Sequence, residues 1–179
     1  KKSFNEYVRC FPNSEITYIN SKDDNYRLSL NKLKETLNKV DTLIVISPDN
    51  PSGSHLKYGE VIELLDMAKE MDKQVIFDES FIDFANDSYT LINDDILKKY
   101  PNLIVIKSIS KSYGVPGLRL GVLASGNYEY LDIINRNMPV WNINSFAEYF
   151  LQIFLIYKKD YVYGCSKIKE ERNRFYNEL

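Results

Sequence analysis

The stretch DTLIVISPDNPSG, residues 41–53, runs apolar without alternation from Leu43 to Ile46 and then turns wholly polar. An alternating strand hides one face, whereas a continuous apolar run suits a strand covered on both. The turn that follows has two prolines, which fix φ, and Gly53, which permits positive φ. The same grammar recurs along the chain. QVIFDES (residues 74–80) and NLIVIKSIS (residues 102–110) are apolar runs that end in polar residues, and LRLGVLAS (residues 118–125) is a fourth strand. Amphipathic stretches separate them. SLNKLKETLNKV (residues 29–40) places Leu30, Leu33 and Leu37 on one helical face, with Ser29 or Asn25 as cap, and GEVIELLDMAKEMDK (residues 59–73) is a second helix. YEYLDIINRN (residues 128–137) reads as a helix, SFAEYFLQIFLIYKK (residues 145–159) as a largely buried one, and GCSKIKEERNRFYNEL (residues 164–179) as another. EITYIN (residues 15–20) is short, alternating and β-branched, the pattern of a strand. Strands alternating with helices predict an α/β domain, a three-layer α-β-α arrangement with a mainly parallel sheet, occupying residues 1–179 as a single domain.

Bulk properties narrow the function classes. The chain has 179 residues and a net charge of −2, so nothing general in its electrostatics draws it to nucleic acid or an anionic membrane. No apolar run approaches the ~20 residues that cross a bilayer. The start, KKSFNEYVRC, lacks the apolar core of a signal peptide. Cys10 and Cys165 lie far apart and His55 is the one histidine, so no Cys/His metal spacing exists and two reduced thiols in a cytoplasmic protein are expected. A first residue that is not methionine and a last helix without a stop signal predict a piece of a longer protein.

In open α/β sheets ligands bind beyond the carboxyl ends of the strands. Three polar segments are therefore expected on one rim. SPDNPSG (residues 47–53) offers the Asn50 side-chain amide, although an ordinary strand-to-helix turn would look the same. Asp78 ends an apolar run, and a carboxylate at the mouth of a buried strand needs a partner: a helix cap, an arginine or lysine, or a cationic ring nitrogen. Glu79 and Asp83 read as solvated or structural. Ser108, Ser110 and Lys111 close the third strand; a lysine in low-dielectric surroundings is a usable amine nucleophile. Arg119 presents a planar fork suited to phosphate, and Gly114 and Gly117 allow close approach of backbone.

Taken in order, Asn50-Pro51-Ser52-Gly53, Asp78-Glu79, Ser108-Ile109-Ser110-Lys111 and Gly117-Leu118-Arg119 resemble the motif set of fold-type I pyridoxal-phosphate (PLP) enzymes of the class I/II aminotransferase family. PVWNINSFAEYF (residues 139–150) is similar to the segment that follows these motifs in histidinol-phosphate aminotransferases and threonine-phosphate decarboxylases. SFNEY (residues 3–7) resembles the stretch after the first phosphate-binding loop. The resemblance implies that Lys111 carries pyridoxal 5'-phosphate as a Schiff base and shuttles a proton. It implies that Asp78 pairs with the pyridinium nitrogen, that Asn50 bonds the ring's 3-hydroxyl, and that Ser108 and Arg119 hold the phosphate. Phe81 stands at the cofactor where many relatives have a tyrosine, so that hydroxyl is missing. The resemblance further implies the central part of a large domain, with the phosphate loop, the ring-stacking side chain and the small C-terminal domain outside this chain, an isolated piece that is inactive, and a homodimer for the whole protein. The expected reaction is amino-group transfer between a small-molecule amino acid and a 2-oxo acid. Decarboxylation of a phosphorylated amino acid, or a non-catalytic PLP- or amine-sensing domain of a regulator, are the alternatives. A nucleotide-binding domain is disfavoured, because no GxGxxG or GxxxxGK[ST] follows the first strands.

Of the remaining residues, His55 is expected to start or cap the helix after the first turn. Trp141 and residues 142–145 could line the site edge, but a buried aromatic with helix capping is the favoured expectation. Most tyrosines and phenylalanines should be core or half-exposed surface, and KIKEERNR (residues 167–174) a solvated helix face.

Overall fold

A computed structural model describes residues 4–15 and 27–179. The strand expected at residues 15–20 lies outside these residues, apart from Glu15, as does the candidate cap Asn25. A short helix, α1 (Asn5–Cys10), and α2 (Leu30–Leu37) precede the sheet. Four strands follow, β1 (Thr42–Ile46), β2 (Gln74–Asp78), β3 (Leu103–Ser108) and β4 (Gly121–Ser125), in the spatial order β1-β2-β3-β4. The first three run parallel, and β4 is antiparallel to β3. The mainly parallel sheet read from the sequence is thus the observed one.

Parallel neighbours need crossovers. Here α3 (Tyr58–Glu70) joins β1 to β2, and α4 (Asp94–Lys99) joins β2 to β3. Strand periodicity of two sends Leu43, Val45, Val75, Phe77, Leu103 and Val105 to one face, where Leu33 and Leu37 of α2 and Val61, Leu64, Leu65 and Ala68 of α3 meet them in a continuous core. Each fully buried aliphatic or aromatic side chain in it contributes roughly 1.5–3 kcal/mol relative to exposure. The alternate residues, Ile44, Ile46, Ile76, Ile104 and Ile106, are half-buried. The cap of α4 is unambiguous: Asn93 accepts from the backbone N–H groups of Asp95 and Ile96. The sequence reading passed over α4, which has only six residues and no buried one. Ser29 does occupy the N-cap position of α2, but its side chain makes no capping bond.

The C-terminal part departs from expectation. The two helices predicted at residues 145–159 and 164–179 form one, α7 (Ser145–Glu178), after α6 (Tyr128–Asn137). Gly164 lowers helix propensity by about 1 kcal/mol relative to alanine, too little to stop a long helix. Nor is α7 largely buried: only Ala147 and Cys165 are, while Phe146, Leu155 and Ile156 stand more than 70% exposed. The reason is length. At 1.5 Å per residue α7 extends roughly 50 Å, against the ~17–20 Å of strands this short, so most of its apolar face overshoots the sheet. Its far end is tied instead by Arg172, which donates to the Phe84 carbonyl at 2.6 Å and also bonds Asn86. Both thiols are free, Cys10 exposed and Cys165 buried. Among the described residues no helix is long and apolar enough to cross a membrane.

Candidate active site

The strand register aligns the three polar segments. Ile46 pairs with Asp78, and Asp78 with Ile106, so the carboxyl ends of β1, β2 and β3 are level. The ladder continues one step into the turns: Ser47 N–H donates to the Asp78 carbonyl at 3.0 Å, and Glu79 N–H to the Ile106 carbonyl at 2.9 Å. Residues 47–53, 78–81 and 108–111 therefore leave the sheet from one rim.

On the first segment, buried Ser47 accepts the Leu56 N–H at 2.9 Å. Gly53 N–H donates to the Asp49 carbonyl at 2.8 Å, and Asp49 accepts the Ser52 hydroxyl at 2.6 Å. Gly53 has φ +71°, the left-handed region that favours glycine, and Asn50 is displayed exposed on this tight turn.

On the second segment Asp78 is 7% exposed. Its Oδ1 accepts from the Ser80 N–H at 2.9 Å and the Ser80 hydroxyl at 2.5 Å. Its Oδ2 accepts from the Tyr7 hydroxyl at 2.6 Å. Glu79 is fully buried, not solvated: it accepts from the Thr90 hydroxyl and the Leu91 N–H, and burial raises its pKa above the usual carboxylate range. Lys107, on the opposite face of β3 from Ser108, bridges Asp83 at 2.8 Å and reaches Glu79 at 3.9 Å. These two acids are structural, as the sequence suggested.

On the third segment Ser108 begins the one-turn helix α5 (Ile109–Ser112), and Lys111 lies within it, exposed. Its Nζ sits 4.5 Å from the Phe4 ring centroid and 4.8 Å from that of Phe81, with no carboxylate in ion-pair range among the described residues. Phe4 and Tyr7 are edge-to-face neighbours, 6.1 Å between centroids. Thus α1 and the residue before it link the two groups: Phe4 meets the Lys111 amine and Tyr7 meets the Asp78 carboxylate. Ser110 accepts the Leu120 N–H at 3.0 Å, which pins the Gly117–Leu120 turn to α5. Arg119 lies exposed on that turn, with φ 55°.

Phe4, Tyr7 and Ser80 were missed by sequence reasoning. The first two carried a signal, aromatic side chains at i and i+3 at the start of a short helix. Two expectations are corrected. His55 neither starts nor caps α3, whose N-cap is Lys57; it pairs through Nε2 with Asp87 at 2.6 Å and so holds the Asp87 carboxyl below its usual range. Trp141 is 92% exposed rather than buried, although Asn144 does cap α7 through the Ala147 N–H.

Tyr7 carries a pH signature. Burial first, and then its bond to Asp78, raise the phenol well above its ordinary value. An unfolded tyrosine releases its proton near pH 10, while folded Tyr7 keeps it. Above about pH 10 the folded state therefore binds more protons, and stability falls as pH rises. Thermal melts between about pH 9 and 11 should show a steeper fall for the parent than for Tyr7→Phe. Equal slopes would place Tyr7 in solvent.

A mainly parallel sheet with its helices alongside and three polar turns on its carboxyl rim is the frame of an α/β ligand-binding protein. The chain belongs to the family of aminotransferases of class I and II, which matches residues 2–179. It is 34% identical over 177 residues to the L-serine phosphate decarboxylase of Campylobacter jejuni, covering 94% of this chain and 43% of that protein. It superposes on the histidinol-phosphate aminotransferase of Clostridium acetobutylicum with a TM-score of 0.75 at 31% identity, covering 88% of this chain and 47% of the other. The histidinol-phosphate aminotransferase of Sinorhizobium meliloti, solved in complex with pyridoxal-5'-phosphate, matches with a TM-score of 0.59 at 26% identity, over 73% of this chain and 35% of that one. The chain thus spans less than half the length of these relatives. Pyridoxal 5'-phosphate is the cofactor of this family.

The rim fits that group chemically. An aldehyde needs an amine free of a counter-ion, and among the described residues Lys111 has none. A flat ring needs apolar walls, and Phe4 and Phe81 supply aromatic faces at the amine. A protonated ring nitrogen needs a carboxylate. Asp78 accepts three hydrogen bonds here, of the about four that its two oxygens can take. A phosphate suits Arg119, whose guanidinium has no carboxylate partner among the described residues.

Proposed function

We propose that the whole protein is a PLP-dependent enzyme acting at the Cα of a phosphorylated amino acid, and that it releases the carboxyl group as CO2. The observation that carries the cofactor part is the Lys111 amine, without a carboxylate partner among the described residues and beside two aromatic rings on the same rim as the braced Asp78. Support for the reaction comes from the decarboxylase of L-serine phosphate, to which the chain is 34% identical over nearly its full length. Amino-group transfer to a 2-oxo acid, the first expectation from the motifs, is the second reading, because the likeness to histidinol-phosphate aminotransferase is almost as extensive. Both relatives act on phosphorylated amines by name, so the substrate class is common to the two readings.

When bound, pyridoxal 5'-phosphate supplies an electron sink joined to the substrate's Cα. Lys111 anchors it and moves a proton at Cα. Asp78 holds a proton on the ring nitrogen, Asn50 donates to the ring oxygen, and Ser108 and Arg119 bind the phosphate. Phe4 and Phe81 set aromatic faces beside the amine, and Phe81 leaves the ring oxygen without the hydroxyl that a tyrosine would offer. The same reading has this chain as the central part of a large domain, in a cytoplasmic homodimer.

The test uses the full-length protein with L-serine phosphate or L-threonine phosphate, with and without a 2-oxo acid. CO2 release without the 2-oxo acid is the expected result. Amino transfer that needs the 2-oxo acid, with no CO2, selects the second reading. Cofactor binding without either product would make this a sensing domain.

A further inference from the structure

We infer that Ser80 is a positioning residue that locks the Asp78 carboxylate to the lysine-bearing segment, so that the two groups grip one cofactor ring in a fixed relation. The inference rests on the PLP reading above. Ser80 is buried, and its single hydroxyl is used twice. It donates to Asp78 Oδ1 at 2.5 Å and accepts the Ser108 N–H at 2.8 Å. A serine hydroxyl has one proton and rotates to suit its surroundings. Here the incoming N–H occupies an acceptor position and leaves the proton directed at Asp78. The Ser80 N–H adds a second bond to the same oxygen at 2.9 Å. With Tyr7 on Oδ2, both oxygens are held from opposite ends of the chain's order, and the carboxylate cannot turn about χ2 without breaking at least one bond.

The acceptor half matters as much. Ser108 stands three residues before Lys111 and opens α5. Its backbone N–H therefore ties the helix that carries the amine to the residue that orients the acid. One oxygen atom thus hydrogen-bonds both segments. A ring held by an amine at one end and a carboxylate at the other tolerates misplacement of only about 0.5 Å, and a two-bond relay through one oxygen is the shortest link the rim offers. A merely satisfied buried serine would need only one of the two bonds, and neither would have to reach a group that faces the cofactor.

The test compares two ligands on the full-length protein by equilibrium titration of their absorption: pyridoxal 5'-phosphate, and its 1-deaza analogue, in which carbon replaces the ring nitrogen. Both bind Lys111 and the phosphate contacts, but only the first presents a nitrogen to Asp78. Ser80→Ala should weaken pyridoxal 5'-phosphate roughly tenfold, the worth of one hydrogen bond, and leave the deaza analogue within about threefold. Ser80→Cys, close in size and a weak donor, should show the same selective loss and serves if the alanine variant does not fold. Ser80→Thr, which keeps the hydroxyl, should restore selectivity. Equal losses for both ligands, or none for either, would overturn the inference while leaving the PLP reading intact. A parent protein that binds neither ligand would overturn both.

Discussion

Replacing Lys111 with alanine in the full-length protein should abolish turnover while leaving the fold in place. Two separate functions rest on one amine. It is the only described group on the rim able to form a covalent link to an aldehyde, so cofactor fixed to the chain by borohydride should disappear and no labelled peptide should contain residue 111. In the proposed reaction it also moves the proton at Cα, and positioned proton transfer alone is worth roughly 10²–10⁴ in rate. The structural cost is small. Lys111 is exposed and makes no ion pair with the described residues; it lies over the faces of Phe4 and Phe81, worth roughly 0.5–1 kcal/mol for an exposed cation over a ring. A melting temperature close to the parent's, together with at least a hundredfold loss of activity, is the expected pair of results. Lys111→Arg should behave like the alanine variant, since a guanidinium keeps the charge over the rings but is never a free amine at working pH. Activity within tenfold of the parent in either variant would move the nucleophile elsewhere.

What the sequence revealed and what it hid follow from the range of the forces involved. The three parallel strands were legible because a run such as Leu43–Ile46 or Leu103–Ile106 is a local pattern with one reading, and their order fixed which turns share a rim. Asn50, Asp78, Ser108 and Lys111 were singled out by the same route, as the polar residues that end those runs, and the structure places their segments on one rim. Partners were not legible. Tyr7 reaches Asp78 across 71 positions of the chain and Phe4 reaches Lys111 across a still longer gap, and no window of local sequence records such a meeting. Ser80 looked like part of a generic turn, although its neighbours Asp78 and Ser108 had both been singled out. The burial of α7 was misjudged for a related reason. Apolar spacing tells which face of a helix would be covered, not whether a layer extends far enough to cover it. Trp141 failed in the same way, since aromatic character predicts burial only where a neighbour exists.

Gly126→Ala should be among the most destabilising single-methyl changes in the chain, by about 3 kcal/mol, at the upper end of what overpacking costs. Gly126 sits between β4 and α6, where the chain passes across α4. A Cβ there would lie 2.0 Å from the Leu97 carbonyl oxygen and 2.6 Å from its carbon. Both are backbone atoms, so no rotamer change relieves the clash; either α4 or the end of β4 must move. Neither moves freely. The N-terminus of α4 is held by the two capping bonds of Asn93, and its Lys99 ammonium bridges Asp66 on α3 at 2.9 Å. The end of β4 is held by Ser125, whose hydroxyl donates to the Leu103 carbonyl at 2.8 Å and accepts the Asn127 N–H at 3.2 Å. Displacing β4 strains its ladder with β3, the strand that delivers Ser108 and Lys111, so loss of stability should be joined by weaker cofactor retention. Gly164→Ala is the matched control. Nothing lies within 4 Å of its added methyl, in the interior of α7, so propensity alone acts and stability should rise by about 1 kcal/mol. Two identical chemical changes are thus expected to shift melting in opposite directions, the first downward by about 6–12 °C for a chain of this size. A Gly126→Ala variant melting within about 2 °C of the parent would mean that α4 slides off this contact at little cost and does not help fix β3.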